Sequence, residues 1–270
     1  MGSGIAQTAA AGGFKTILFD VNTDVLQKGK ASIEKNLNTL KEKGRITSEE
    51  EQAILQRLVL TGDINDCRAD LIIEAIVEKQ EVKLDLFRRL TGCNSDQTIF
   101  TSNTSSLSIT ALSEQLPHPE KFAGLHFFNP APLMRLVEIV RSRYTADDAI
   151  QTLLGIAAKM GKTPVLCKDA PGFIVNHVAR PYYLEALRLV EQEGIGFDTI
   201  DDVMEASGFK MGPFRLMDLI GNDINYAVSC SVYEAMGKPS RLTPSPIQEQ
   251  KVKDGELGRK TGKGYYTYLH

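Results

Sequence analysis

Ala123-Gly-Leu-His-Phe-Phe-Asn-Pro-Ala-Pro-Leu-Met-Arg-Leu-Val-Glu-Ile-Val140 reads as a buried strand, a proline-bounded turn and a second buried strand. Each strand carries one residue foreign to an apolar interior: His126 in the first, Glu138 in the second. A histidine and a carboxylate rooted in rigid strands suit an acid/base pair. The carboxylate would orient the imidazole and fix its tautomer, and the other ring nitrogen would face a substrate proton. The same residues also allow a core histidine with a satisfied hydrogen bond and a glutamate at a strand end.

Working outward, the chain alternates strands and helices. Residues 3–12 suit a helix ended by Gly12-Gly13, and Thr16 to Phe19 a strand closed by Asp20. Residues 23–43 and the segment opened by Thr47-Ser48 suit two helices, a hairpin at about 23–58. Asp70 to Ile76 reads as a fully buried strand. A helix follows from Lys79 to Leu90, then a strand, Thr98 to Thr101, running into the polar loop Ser102-Asn-Thr-Ser-Ser106. After the opening stretch come a helix, Ala146 to Met160, and a strand, Thr163 to Cys167. This order predicts an α/β, doubly wound and mainly parallel sheet, covered on both faces, with ligands at the carboxyl ends of its strands. Beyond Lys168-Asp-Ala-Pro-Gly-Phe173 the strand-like runs stop, and residues 173–193, 198–207, 214–237 and 244–254 read as helices. The expected domains are 1–168, a nucleotide-binding sheet domain, and 169–270, an all-helical one.

Composition narrows the partners. Of 270 residues 42% are hydrophobic and 24% charged, with a net charge of −3, which gives no reason to expect nucleic acid or an anionic membrane. Four scattered cysteines form no metal-ligand spacing and read as thiols of a reducing, cytoplasmic compartment; no metal site is expected. No run reaches the ~18 apolar residues of a membrane span.

An acid closing an early strand suggests a dinucleotide-binding unit, in which Asp20 would hold the ribose hydroxyls and favour NAD. Gly2 lies 18 positions before it, where the third glycine of a G-x-G-x-x-G turn belongs, about 20 residues from the acid. A helix opening in small residues accounts for Gly2 and Gly4 equally well. On the first reading, the first strand and first two glycines lie upstream of Met1.

The sequence resembles the L-3-hydroxyacyl-CoA dehydrogenases over essentially its whole length, especially the bacterial 3-hydroxybutyryl-CoA type. The matching motifs include Met1-Gly-Ser-Gly-Ile-Ala-Gln, Glu74-Ala-Ile-Val-Glu78, Ser102-Asn-Thr-Ser-Ser-Leu107, Gly124-Leu-His-Phe-Phe-Asn-Pro130, Leu136-Val-Glu-Ile139 and Asp169-Ala-Pro-Gly-Phe-Ile-Val-Asn176. In the helical part they include Met211-Gly-Pro-Phe214 and Gly258-Arg-Lys-Thr-Gly262. The resemblance implies a Rossmann-like sheet domain, an all-helical second domain, NAD as cofactor, an acyl-CoA substrate and a homodimer. It implies that His126 is the catalytic base and Glu138 its partner. Ser105 and Asn176 match residues that hydrogen-bond the reacting oxygen and the imidazole surroundings. Gly2, Asp20, Glu78, Lys83 and Asn103 match positions near the cofactor, and the paired helices at 23–58 would help hold CoA. Read from the residues alone, Ser105 or Ser106 would also cap the next helix, and Asn176 would also satisfy backbone groups. Two other readings compete: a dehydrogenase of a free hydroxy acid, and a non-catalytic, crystallin-like protein. Gly221-Asn222-Asp223 departs from the family's usual Gly-Leu-Asp.

Overall fold

Runs of apolar and β-branched residues, most only four long, form strands because helices cover them. The computed structural model describes residues 1–268 and divides into two units, Met1–Asp169 and Ala170–His270.

The first unit runs α1 (Gly2–Ala11), β1 (Thr16–Phe19), α2 (Thr23–Glu42), α3 (Ser48–Gln56), β2 (Leu58–Thr61), β3 (Leu71–Glu74), α4 (Gln80–Thr91), β4 (Ile99–Ser102), α5 (Ile109–Ser113), β5 (Phe122–Phe127), β6 (Leu136–Arg141), α6 (Asp147–Lys159) and β7 (Thr163–Lys168). The strands form two sheets, the pair β1-β2 and the five-stranded β3-β4-β5-β6-β7. The expected single sheet is thus in two pieces, and α1 spans them. Its Ile5 packs with Ile99, Leu125 and Ile139, while its Ala10 packs with Ile33, Leu37 and Ile54 of the helical hairpin. All pairings are parallel except β5–β6. That pair is antiparallel because the proline-bounded turn joining it is too short for the crossover that parallel strands need.

Local signals fix the hairpin. The Asn22 side chain accepts from the amides of Asp24 and Val25 to start α2, and Thr47 and Glu50 form a reciprocal capping box on α3. The buried strand expected over 70–76 is shorter in the structure. It stops at Glu74, whose carboxylate turns back to accept from the Ile76 amide at 2.6 Å.

The second unit is helical: α7 (Val175–Glu193), α8 (Phe197–Ala206), α9 (Pro213–Ile220), α10 (Asn222–Ala235) and α11 (Pro246–Lys253). Its core gathers Leu184, Leu187, Phe214, Met217 and Tyr265. The single helix expected over 214–237 is two. Gly221, at φ 106°, breaks it in a conformation closed to other residues. Asn222, fully buried, then ties the junction: its Nδ2 donates to Asp218 Oδ1 and to the Glu256 carbonyl, both at 3.1 Å. The departure from Gly-Leu-Asp is therefore a packing feature of this helix break.

Candidate active site

The short β5–β6 connection sets a register in which His126 lies directly opposite Glu138. Opposed residues of an antiparallel pair project on one face. His126 Nδ1 is 2.8 Å from Glu138 Oε2, with His126 6% and Glu138 1% exposed. Against an ionised carboxylate, which only accepts, Nδ1 would carry the proton and leave Nε2 as the nitrogen open to a substrate proton. The Phe128 ring leans on the imidazole with centroids 4.6 Å apart.

This pair stands where β5 outruns its neighbour. β4 pairs with β5 only as far as Ser102 and Gly124. Beyond that a side chain continues the ladder: Asn103 Oδ1 accepts from the Phe127 amide at 2.7 Å, while the Asn103 amide donates to the Glu74 carbonyl at 2.7 Å. Asn103 therefore holds the strand that carries His126.

The loop after Asn103 closes around Glu78. Its Oε1 accepts from the Thr104 hydroxyl, from the Ser105 amide at 2.9 Å, and from the Ser106 amide and hydroxyl at 3.2 and 3.0 Å. Lys83, 1% exposed, bridges this carboxylate to a second, with Nζ 3.2 Å from Glu78 Oε2 and 2.6 Å from Glu74 Oε1. Glu74 Oε2 accepts from Ser102 Oγ at 2.6 Å. Burial opposes ionisation of Glu78. The Thr104 hydroxyl, the Lys83 ammonium and the Ser105 amide outweigh it, so its pKa lies below the ordinary carboxylate value.

The structure thus brings His126, Glu138, Asn103, Ser105, Glu78 and Lys83 to one edge of the five-stranded sheet. Ser105 does not cap the following helix, and neither does Ser106. That task falls to Ser108, whose hydroxyl accepts from the Ala111 amide, backed by the Asp169 carboxylate on the amides of Ile109 and Thr110. Asp20 closes β1 at the other sheet and accepts from the Asn22 amide through Oδ1. Gly2 opens α1, and Asn176 lies in the first turn of α7, in the second unit. Sequence reasoning missed Glu74, Ser102 and Thr104 as the supports of this loop. The available signal was an acid ending the apolar run Leu71-Ile-Ile-Glu74, with a lysine nine residues on.

Residues 1–170 match the family profile "3-hydroxyacyl-CoA dehydrogenase, NAD binding domain", and residues 172–268 match "3-hydroxyacyl-CoA dehydrogenase, C-terminal domain". The chain belongs to the 3-hydroxyacyl-CoA dehydrogenase family. It is 44% identical to the 3-hydroxyadipyl-CoA dehydrogenase of Escherichia coli, over 99% of this chain but only 57% of that one. It is 41% identical to a probable 3-hydroxybutyryl-CoA dehydrogenase of Deinococcus radiodurans, over 99% of this chain and 96% of that one. The crystal structure of (S)-3-hydroxybutyryl-CoA dehydrogenase from Ralstonia eutropha superposes with a TM-score of 0.95 at 33% identity, covering 100% of this chain and 96% of that one.

The first unit is thus the NAD-binding domain of a 3-hydroxyacyl-CoA dehydrogenase, and its residues fit that cofactor. α1 runs back along β1, which sets its N-terminus beside the carboxyl end of the strand. Its first amides carry no side-chain cap, and a Cβ at Gly2 would meet nothing within 4 Å. Uncapped amides suit a phosphate, and the Asp20 carboxylate suits ribose hydroxyls.

Proposed function

We propose that this protein oxidises short-chain L-3-hydroxyacyl-CoA to 3-oxoacyl-CoA with NAD, and runs the reverse reduction. The carrying observation is the buried His126–Glu138 pair at the edge of an NAD-binding domain. NAD bound at this domain would supply the hydride acceptor for C3. His126 Nε2 accepts the 3-hydroxyl proton in oxidation and returns it in reduction. Glu138 keeps the proton on Nδ1 and stabilises the imidazolium that forms. The Ser105 hydroxyl, on the loop anchored by Glu78, is assigned to the developing oxyanion, and Asn176 to the same oxygen and the imidazole surroundings. Gly2 and Asp20 hold the cofactor. Glu78, Lys83 and Asn103 shape the loop beside it.

The helical hairpin α2–α3 is assigned to the CoA moiety. A cavity of about 140 Å³ opens between α1, α2 and the turn after β5, with Ser3, Gln7, Asn36 and Pro130 in its lining. The second unit is assigned to acyl-chain binding and to a homodimer, whose interface would cover side chains that α7, α8 and the α9–α10 junction leave exposed: Val178, Leu189, Val203, Leu219 and Ile224. The four free thiols suit a cytoplasmic setting, and degradation of fatty acids is the pathway class that supplies such substrates.

The test is loss of NADH absorbance with acetoacetyl-CoA. Turnover of the thioester, absent with free acetoacetate, is expected. Turnover of the free acid alone, or of neither, would sink the proposal. Light scattering in solution tests the dimer.

A further inference from the structure

The charges buried at the catalytic edge are paired: Lys83 with two carboxylates, Glu138 with His126. Arg180, in α7 and 2% exposed, is not. Its Nε donates to the Asn176 carbonyl at 3.0 Å. Its Nη1 donates to the Asn225 carbonyl at 3.0 Å, to Asn225 Oδ1 at 3.4 Å and to Ser229 Oγ at 2.8 Å. The guanidinium carbon lies 4.9 Å from the centroid of the Tyr183 ring. Every one of these acceptors is neutral. Among the described residues no carboxylate pairs with Arg180, and Nη2 has no acceptor.

A second orphan lies beside it. Asn225, 1% exposed, is fixed in orientation because its Oδ1 accepts from Arg180 Nη1 and from Gln248 Nε2, the latter at 3.1 Å. Its Nδ2 is then a buried donor with no hydrogen-bond partner. A buried cation without a counter-ion is costly, and an unfilled buried donor adds to that cost. Burial pulls the Arg180 pKa down to about 10. Gln248 Oε1 is a buried acceptor without a partner in the same cluster. What the cluster lacks besides is a negative charge for the guanidinium, which a bound anion would supply.

We infer that Arg180 and Asn225 form a subsite for a carboxylate at the far end of the acyl chain, making the preferred substrates 3-hydroxy-dicarboxylyl-CoA thioesters. This rests on the reading that Asn176 faces the reacting oxygen. Asn176 and Arg180 are four residues apart on α7, about 6 Å along the axis. A carboxylate three carbons beyond the hydroxyl carbon spans that step, and this is the chain length in the name of the E. coli relative. The planar guanidinium suits a carboxylate, and the Asn225 amide would donate beside it.

The test compares kcat/KM for the CoA thioesters of 3-hydroxyadipic and 3-hydroxyhexanoic acids, equal in length and differing only in a carboxylate or a methyl end. The wild-type chain is expected to favour the adipyl thioester by about tenfold or more, the scale of one charge-assisted hydrogen bond. Arg180→Met should bring the ratio to one or below. Asn225→Asp, which places a competing carboxylate on the guanidinium, should do the same. A wild-type ratio near one overturns the inference whether or not the variants fold. So does a ratio retained in folded Arg180→Met, which would make Arg180 only a tie between α7 and α10. Turnover of the hexanoyl thioester without adipyl preference removes this inference alone. Turnover of neither removes the dehydrogenase reading with it.

Discussion

The Phe127 amide donates to Asn103 Oδ1 at 2.7 Å, so the loop that follows β4 and the strand that carries His126 are held as one piece. Asn103→Ala would leave that amide without its acceptor, at a cost of about 1–3 kcal/mol. Because the bond is next to His126, turnover should fall as well. Asn103→Asp keeps the acceptor oxygen and should recover most of the stability. Urea unfolding and kcat of the two variants check this, and equal losses in both would contradict it.

His126→Gln should lower kcat by about 10²–10⁴-fold, the usual contribution of a positioned acid/base group. Glu138→Gln should cut it too, since a neutral amide no longer fixes the tautomer. Far-UV circular dichroism of both should remain that of the parent. Near-parental kcat in either variant would take that residue out of the chemistry.

Lys83, itself 1% exposed, is shared by two carboxylates, the buried Glu74 and the partly exposed Glu78. Lys83→Met should destabilise by about 3–5 kcal/mol, because it leaves the buried Glu74 carboxylate without its cation, and Glu74→Gln by less, because Glu78 still pairs with Lys83. The double variant should recover part of that loss, a coupling that only contacting residues show. Additive losses in urea would mean that the network carries no coupling.

Glu78 has its folded pKa below the ordinary 4.5, so the folded protein binds fewer protons there than the unfolded chain. Its contribution to stability is fully present above that ordinary value and is lost as pH falls through the lower folded one. The gap in unfolding free energy between parent and Glu78→Gln should therefore be widest near neutral pH and narrow below 4.5. A gap independent of pH would show that the carboxylate's charge is not what holds the Thr104–Ser106 loop.

Gly124 faces Val140 across the antiparallel pair, and a Cβ there would sit 2.7 Å from Val140 Cβ and 3.0 Å from Ile109 Cδ1. Gly124→Ala should cost about 1–3 kcal/mol by overpacking. It should also lower kcat, because His126 lies two residues along the same strand. Adding Val140→Ala should restore part of both. Thermal melts and kcat of the single and double variants decide it.

The sequence by itself determined the alternation of strands and helices, the change to an all-helical texture after Lys168, and the two strands that carry His126 and Glu138. These follow from apolar periodicity, glycine and proline punctuation and capping residues, all of which act within a few positions of the chain. It did not determine the sheet's division into two pieces or the shortening of the strand at Glu74. Those depend on partners brought from elsewhere. The helix break at Gly221 is stabilised by the Glu256 carbonyl, 34 residues beyond Asn222. The support of the Ser105 loop depends on Glu78, 27 residues earlier, and on Lys83, which the sequence matched to a position near the cofactor without showing the two carboxylates that surround it. Arg180 is the same kind of case. On a helix it is an ordinary polar residue, and only the packing of α10 against α7 makes it a buried cation. Hydrogen bonds and ion pairs between distant segments have no local signature, because their energy depends on who the neighbour is and on the water excluded around it.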